Sequence, residues 1–560
     1  MIKISDGTIN VETKTLKATI KDGKIISLAA RSLGKVYIDD KNHASRAPLQ
    51  LVYAGNDRAD LDTEKHGGKA ETVIISDTRA DICINSWNGS GVISVSEDEA
   101  SGDLIIEPSA FSAMKGVRSV RWDIAGLRND AKMVAPLFQG TIAPMDDPMI
   151  RGSRFNYPHR WESPFVIFHS LNDGMWIRTE DSSYLFRTLN VGDKNEYNRI
   201  GLETETCGPI TDNLSAGGCA WRINVYEGDW SVPVLQYRNF LRKKLNLSER
   251  EKNMPDWMRD IRLAYSWCPT DRSILSLLKK YIEPKKVIIH LPSWRNDGYD
   301  QNYPDYTPSK EAVAFFREAA EYGYHVCPHF NAFEIDPSRK DFELVRDFRY
   351  HDPETRRGMG WAYDKVWYPV PEDNLTLCSS RQYNVMTKIH PGHAMWRHML
   401  EKNISKAVDA LGTDTVFIDV THGVFNLDTE YVNNLTVGEG VVKLLKEIAE
   451  INGVESVGGE GLNEVIVHGQ YFAQGHRFSP QNGENATCVT PDKLCAVNKM
   501  LYGDICRIIG YHPHVGDPEE MKKTFEADSA RGFLPTLIGL RAENLENPDK
   551  VVKEILGSAL

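Results

Sequence analysis

Two carboxylates stand where an apolar run gives way to polar residues. One lies in Phe417-Ile-Asp-Val-Thr-His422, the other in Val457-Gly-Gly-Glu-Gly-Leu-Asn-Glu464. An Asp that closes a strongly β-forming run must be desolvated or face an open mouth, and a Glu flanked by glycines has backbone room for another group to come close. If Asp419 and Glu460 end neighbouring strands, about 4.8 Å apart, their carboxyl groups fall roughly 5–5.5 Å apart. That is the separation at which one carboxylate acts as nucleophile and the other as acid/base in retaining cleavage of a glycosidic bond. The blander readings are a loop-orienting acceptor for Asp419 and a structural acid in a glycine-rich turn for Glu460. Glu464 competes for the acid/base role, although an acid at the start of a following helix is explained by the helix dipole alone.

A second cluster, Leu291-Pro-Ser-Trp-Arg-Asn-Asp-Gly-Tyr-Asp-Gln-Asn-Tyr-Pro-Asp-Tyr306, mixes Trp294 and three tyrosines with Arg295, Asp297, Asp300 and Asp305. Sugars are held by this combination, a flat ring against the C–H face and planar polar groups on the hydroxyls, but a solvated loop with incidental aromatics also fits. Trp267, His290, His329 and Asn331 lie at or near other strand ends and join the candidate substrate contacts, as does Trp361 in the long segment 337–390, which reads as a lid or subsite wall. His422, three residues past Asp419, is placed to bond a substrate hydroxyl. A metal site finds little support. The first strand ends Ala264-Tyr-Ser-Trp-Cys268 with no His-x-His pair, and His512-Pro-His514 has only Asp517 nearby. Neither metal nor cofactor is expected.

The elements that must carry these residues fall into two regimes. Over residues 1–230 short alternating runs such as 80–84, 91–95, 103–107 and 220–226 are separated by Asn-Gly, Ser-Gly and Asp-Gly turns, the pattern of an all-β sandwich. Residues 231–258 read as a helical link. From 259 to 560 strand and helix alternate: strands are expected at 261–267, 286–291, 324–330, 415–420, 455–460, 467–472, 505–510 and 533–538, with amphipathic helices at 308–322, 392–411 and 438–452 between them. Eight strands with helical crossovers predict a (β/α)8 barrel, whose reactive groups gather at the carboxyl ends of the strands. No Gly-x-Gly-x-x-Gly follows the first strand and no P-loop occurs, which argues against dinucleotide or nucleotide folds.

Composition bounds the alternatives. The chain has 560 residues and a net charge of −12, from 66 basic and 78 acidic residues. That length exceeds what one core usually fills, so two domains are expected. With no basic run longer than Arg242-Lys243-Lys244, nucleic acid is excluded as a partner, and no stretch is apolar enough for a membrane span. Nine scattered cysteines without a CxxC pair suggest reduced thiols. The polar N-terminus lacks a signal-peptide pattern, so a cytoplasmic location is expected unless a leader was removed. A homo-oligomer is compatible with all of this.

Taken together, a sandwich, a helical link and a barrel with Asp419 on strand four and Glu460 on strand five resemble the retaining α-glycosidases related to glycoside hydrolase families 101 and 129, distantly similar to the α-amylase family. The resemblance implies a galactose-mutarotase-like sandwich, Asp419 as nucleophile, Glu460 as acid/base and the Trp294–Tyr306 loop as a substrate-binding stretch. It also implies a galactose-type sugar: galactose, N-acetylgalactosamine or anhydrogalactose. The chain ends after the eighth βα unit without the further β domains common in such enzymes, which favours a small, end-acting substrate. Two other classes stay open: a transglycosidase or lyase on the same kind of sugar, and a catalytically silent carbohydrate-binding protein.

Overall fold

The computed structural model describes all residues except 1, 6, 33, 40–46, 56–59, 194–197, 354, 355, 357, 363, 364, 368–384, 429, 430, 476–490 and 512–516, and except the side chains of 361, 362, 365–367, 385 and 491. Contacts divide the chain into two compact units, one comprising Met1–Phe240 and the other running from Leu241 to Leu560.

In the first unit all strand pairing is antiparallel, and several strands alternate buried with outward residues. Arg79–Asn85 buries Ala80, Ile82 and Ile84 and turns the intervening residues outward. Its neighbour Gly89–Asp98 pairs residue for residue with Asp103–Ser112. The strands form sheets of five, six and ten members. Sandwich packing needs only two facing sheets; the third is an N-terminal meander between Ile2 and Asp39. The stretch after the last sandwich strand forms three helices, Ser231–Lys244, Leu247–Asn253 and Asp256–Asp260, and the division between units falls inside the first of them.

The second unit is a parallel eight-stranded barrel. Its strands, in chain and spatial order, are Leu263–Ser266, Val287–Leu291, His325–Asn331, Thr415–Asp419, Ser456–Glu460, Phe472–Gly475, Arg507–Gly510 and Thr536–Ile538. The eighth pairs with the first. Between the seventh and eighth the ladder is incomplete, and the seam is bridged by Leu534 N–H to Ile508 O at 2.8 Å and Gly510 N–H to Thr536 Oγ1 at 2.9 Å. The interior is filled by Ile288, Cys327, Phe417, Phe472 and Ile509, with Met254 and Met258 packed among them.

Two of the barrel helices combine a side-chain cap with an apolar stripe. Lys310–Tyr322 starts at Ser309, whose side chain accepts from Ala312 N–H, and stops at Gly323 in the left-handed region. Val437–Ala449 carries a Thr436/Glu439 capping box and buries Val441, Leu444, Leu445 and Ile448. Two expectations change. The sixth strand lies at 472–475 rather than 467–472, because Val467 belongs to a one-turn 3-10 helix, Ile466–His468, and pairing begins only past Gly469. The connection between strands five and six therefore holds no α-helix. The long segment after strand three contributes two 3-10 turns, Lys340–Leu344 and Arg346–Phe348, and a small sheet of Glu334–Ile335, Gly360–Ala362, Lys365–Trp367 and Val385–Lys388, while Tyr363, Asp364 and Tyr368 of the expected lid lie outside the described residues.

Candidate active site

Strands four and five pair in parallel through Ile418↔Gly459, so Asp419 and Glu460 close adjacent strands at the same level. Both are buried, at 7% and 6% exposure, so water screens their charges weakly. The turn after Asp419 holds Glu460. Val420 has φ +59°, a conformation that β-branched residues rarely adopt, and its N–H donates to Glu460 Oε2 at 3.0 Å. His422 Nδ1 lies 3.2 Å from the same oxygen. Thr421 Oγ1 donates to the Glu460 carbonyl at 2.8 Å and accepts from Gln470 Nε2 at 2.7 Å. One short turn, Val420 to His422, thus fixes both the backbone and the carboxylate of Glu460.

The glycines beside Glu460 serve packing within the protein and do not make room for a bound molecule. A Cβ at Gly458 would stand 2.1 Å from the Phe472 ring, and one at Gly459 would stand 1.9 Å from Gln470 Nε2. Gly461, at φ +72°, is overlaid by His422.

Asp419 has its own set of neighbours. His329 Nε2 faces its Oδ2 at 3.4 Å, and His329 Nδ1 lies 3.0 Å from His290 Nε2. Burial pushes the Asp419 carboxyl up to about 6, with repulsion from Glu460 adding to the rise and His329 opposing it. Burial, with His329 alongside, pulls His290 well below the usual imidazole range and keeps it neutral.

A cage of rings stands over this pair. Trp267, at φ +55° past the end of strand one, lies 5.6 Å from Tyr299, 6.2 Å from Tyr511 and 6.4 Å from His329 by ring centroids. Its indole Nε1 is buried without a hydrogen-bond partner. Asp300, also in the left-handed region, is 3% exposed, and its Oδ1 is likewise buried and unpartnered. Burial raises its carboxyl to about 9, helped by the charges of Glu334 and Asp419, so it is neutral at ordinary pH. One buried indole donor and one buried carboxyl oxygen thus stand without partners near Asp419.

Other residues singled out in the sequence have different surroundings. Trp294 is wholly buried, donates to the His329 carbonyl at 2.9 Å and packs on Phe330, so it offers no face to a sugar. The Arg295 guanidinium is taken up by its own loop, bonding the carbonyls of Gln301, Asp305 and Gly298 and lying over Tyr303. Asp297 accepts from Asn302 within that loop. Asn331 is fully buried and shapes the turn after strand three, accepting from the N–H groups of Phe333 and Glu334 and donating to Glu334 Oε2 at 2.7 Å. Glu334 in turn forms a buried ion pair with Lys388. These four residues brace loops where direct ligand contact was expected, because their polar groups have partners that a sequence does not reveal. Glu464 is fully buried ahead of the 3-10 turn and starts no α-helix. Trp361 lies on the small accessory sheet with its side chain outside the described residues, as are His512 and His514. Tyr511, Glu334 and Gln474 were not anticipated. Tyr511 directly follows strand seven, a position that could have flagged it, whereas Gln474 was hidden by the misplaced sixth strand.

Among the described residues no group of three or more His, Cys, Asp or Glu stands together as a metal cage, and no helix is long and apolar enough to cross a membrane.

Residues 219–426 match a family described as a domain of unknown function, DUF6259. No curated protein matches the chain. Solved structures do. The α-N-acetylgalactosaminidase NagBb from Bifidobacterium bifidum, in complex with GalNAc, aligns over 100% of this chain and 92% of its own with a TM-score of 0.64 at 13% identity. A quadruple mutant of the same protein aligns over 100% and 93% with a TM-score of 0.67 at 12% identity. A GH31 family sulfoquinovosidase from E. rectale, bound to an aza-sugar inhibitor, aligns over 100% and 82% with a TM-score of 0.54 at 10% identity. The fold is thus shared with α-glycosidases across the whole chain, as the motif positions suggested.

Proposed function

We propose that the protein is a retaining, exo-acting α-glycosidase that releases a terminal galactose-type sugar (galactose, N-acetylgalactosamine or anhydrogalactose) by double displacement. The observation that carries this reading is the pair of buried carboxylates closing adjacent parallel strands, Asp419 faced by His329 and Glu460 held by the Val420–His422 turn. The N-acetylgalactosaminidase that aligns over the full chain supports the choice of sugar. In the first step Glu460 donates its proton to the glycosidic oxygen as the C1–O bond breaks, and an Asp419 oxygen bonds to C1. In the second, ionised Glu460 takes a proton from water, the water oxygen bonds to C1, and the ester bond to Asp419 breaks with overall retention. Trp267 Nε1 and the neutral Asp300 carboxyl are placed to bond sugar oxygens, so that a bound sugar satisfies groups otherwise orphaned.

A panel of aryl α- and β-glycosides, with the first-formed anomer read by NMR, tests the reading. Hydrolysis of an α-galactoside-type substrate with retention, abolished in Asp419→Asn, is expected. Inversion, or turnover that survives Asp419→Asn, overturns it.

A further inference from the structure

We propose that His290 is a positioning residue for Asp419: it fixes which nitrogen of His329 carries hydrogen and keeps that hydrogen on the nucleophile. The argument begins at the backbone. Trp267 N–H, 3.4 Å from His290 Nδ1, can only donate, and Gln474 Nε2, itself bonded to Ser266 Oγ at 2.7 Å, approaches the same nitrogen at 3.2 Å. His290 Nδ1 is therefore the acceptor, and the ring hydrogen resides on Nε2. That hydrogen points at His329 Nδ1, 3.0 Å away, which must accept, leaving the His329 hydrogen on Nε2 opposite Asp419 Oδ2. Both rings are buried, at 1% and 2% exposure, and Phe417 packs against them at 4.3 and 5.5 Å between centroids, so neither can turn freely.

The other tautomer of His329 would aim a lone pair at the carboxylate. Asp419 is already faced by Glu460 from strand five, by Glu334 beyond strand three, by Tyr299, Asp300 and Tyr303 from the loop after strand two, and by Tyr511 after strand seven. The cations nearby, Lys388 and Arg295, are bound to Glu334 and to loop carbonyls. A donor aimed at Oδ2 from 3.4 Å, free to close as the carboxylate ionises, is what steadies the proposed nucleophile in that setting and leaves its other oxygen for the anomeric carbon.

This rests on the glycosidase reading, and the test separates the two. In His290→Phe, with packing volume kept and the donor lost, kcat on an aryl α-glycoside should fall about 10–100-fold while KM stays within about 3-fold, and the acid limb of kcat should move to higher pH. His290→Gln, which restores an N–H near the Nε2 position, should recover most of kcat and the wild-type limb. An unmoved limb in His290→Phe, or equal impairment of both variants, overturns the proposal. Histidine 15N NMR of the unmodified protein gives an answer independent of variant folding: Nε2–H tautomers at both 290 and 329 support the chain, and an Nδ1–H tautomer at either overturns it. Correct tautomers in a protein that hydrolyses no glycoside would support the chain and refute the glycosidase reading.

Discussion

Asp419 is held against its own preference, since burial and the Glu460 charge both disfavour its ionised form. As the proposed nucleophile, Asp419 must be ionised, so kcat is expected to fall as pH drops through about 6, measurable on a substrate with a good leaving group. Stability should run the other way. The folded-state value lies above the unfolded one of about 3.9, so ionised Asp419 weakens the fold above pH 6, and the deficit disappears as pH falls from there toward 4. Asp419→Asn is thus expected to unfold later than wild type at pH 7, by on the order of 1–3 kcal/mol, with no difference near pH 4. A lower melting temperature for the variant at pH 7 would show that the ionised carboxylate is a net stabiliser. Glu460 and Glu464 separate by a different readout. Azide, or substrates with very good leaving groups, should rescue Glu460→Ala, whereas Glu464→Ala, which empties a fully buried site, should lose stability without such rescue.

Among the elements, strand five shows how local sequence is shaped by neighbours rather than by the ligand. Alanine at Gly458 or Gly459 would drive a methyl into Phe472 or Gln470, so either variant should cost about 1–3 kcal/mol and, by displacing Glu460, lower kcat as well. Val420→Gly tests the opposite case. It relieves the positive φ yet keeps the N–H that holds Glu460, so thermal unfolding should shift upward by about 1 kcal/mol with kcat within about 3-fold. A large loss of activity would mean that the valine side chain itself matters. The strand ends bearing Asp419 and Glu460 were readable in the sequence because an apolar β run stopping at an acid is a local pattern. Trp294, Arg295 and Asn331 were not, because whether an aromatic, a guanidinium or an amide faces a ligand depends on which carbonyls and rings the folded loop brings to it. Strand six was misplaced for a related reason: Val467 and Tyr471 supply apolar content, but Gly469 and the 3-10 turn before it delay the strand to Phe472.

At the scale of the whole molecule each unit holds some buried acids whose electrostatic states are opposite to those in the other. In the sandwich unit burial alone would raise Glu203, yet Arg154 and Arg121 outweigh it and hold the carboxyl down at about 2; Glu205, against Arg118 and Arg154, and Asp103, against Arg178, are lowered as well. Each contributes stability that is present above the unfolded carboxylate range and lost as pH falls through the folded value, on the order of 3 kcal/mol for Glu203. In the barrel unit Asp419 and Asp300 are raised, to about 6 and about 9, so protonation in acid favours their folded state. Acid should therefore loosen the sandwich unit first. Hydrogen exchange followed by mass spectrometry between pH 5 and pH 2.5 is expected to show Val117–Ile124 and Ile200–Glu205 losing protection while the barrel strands Thr415–Asp419 and Ser456–Glu460 still retain theirs. Simultaneous loss in all four segments would mean that the arginine-held carboxylates do not govern acid unfolding. Replacing Glu203 with Gln should flatten the acid dependence of the sandwich segments alone, at reduced stability near neutral pH, because the arginines beside it would then lack their counter-charge.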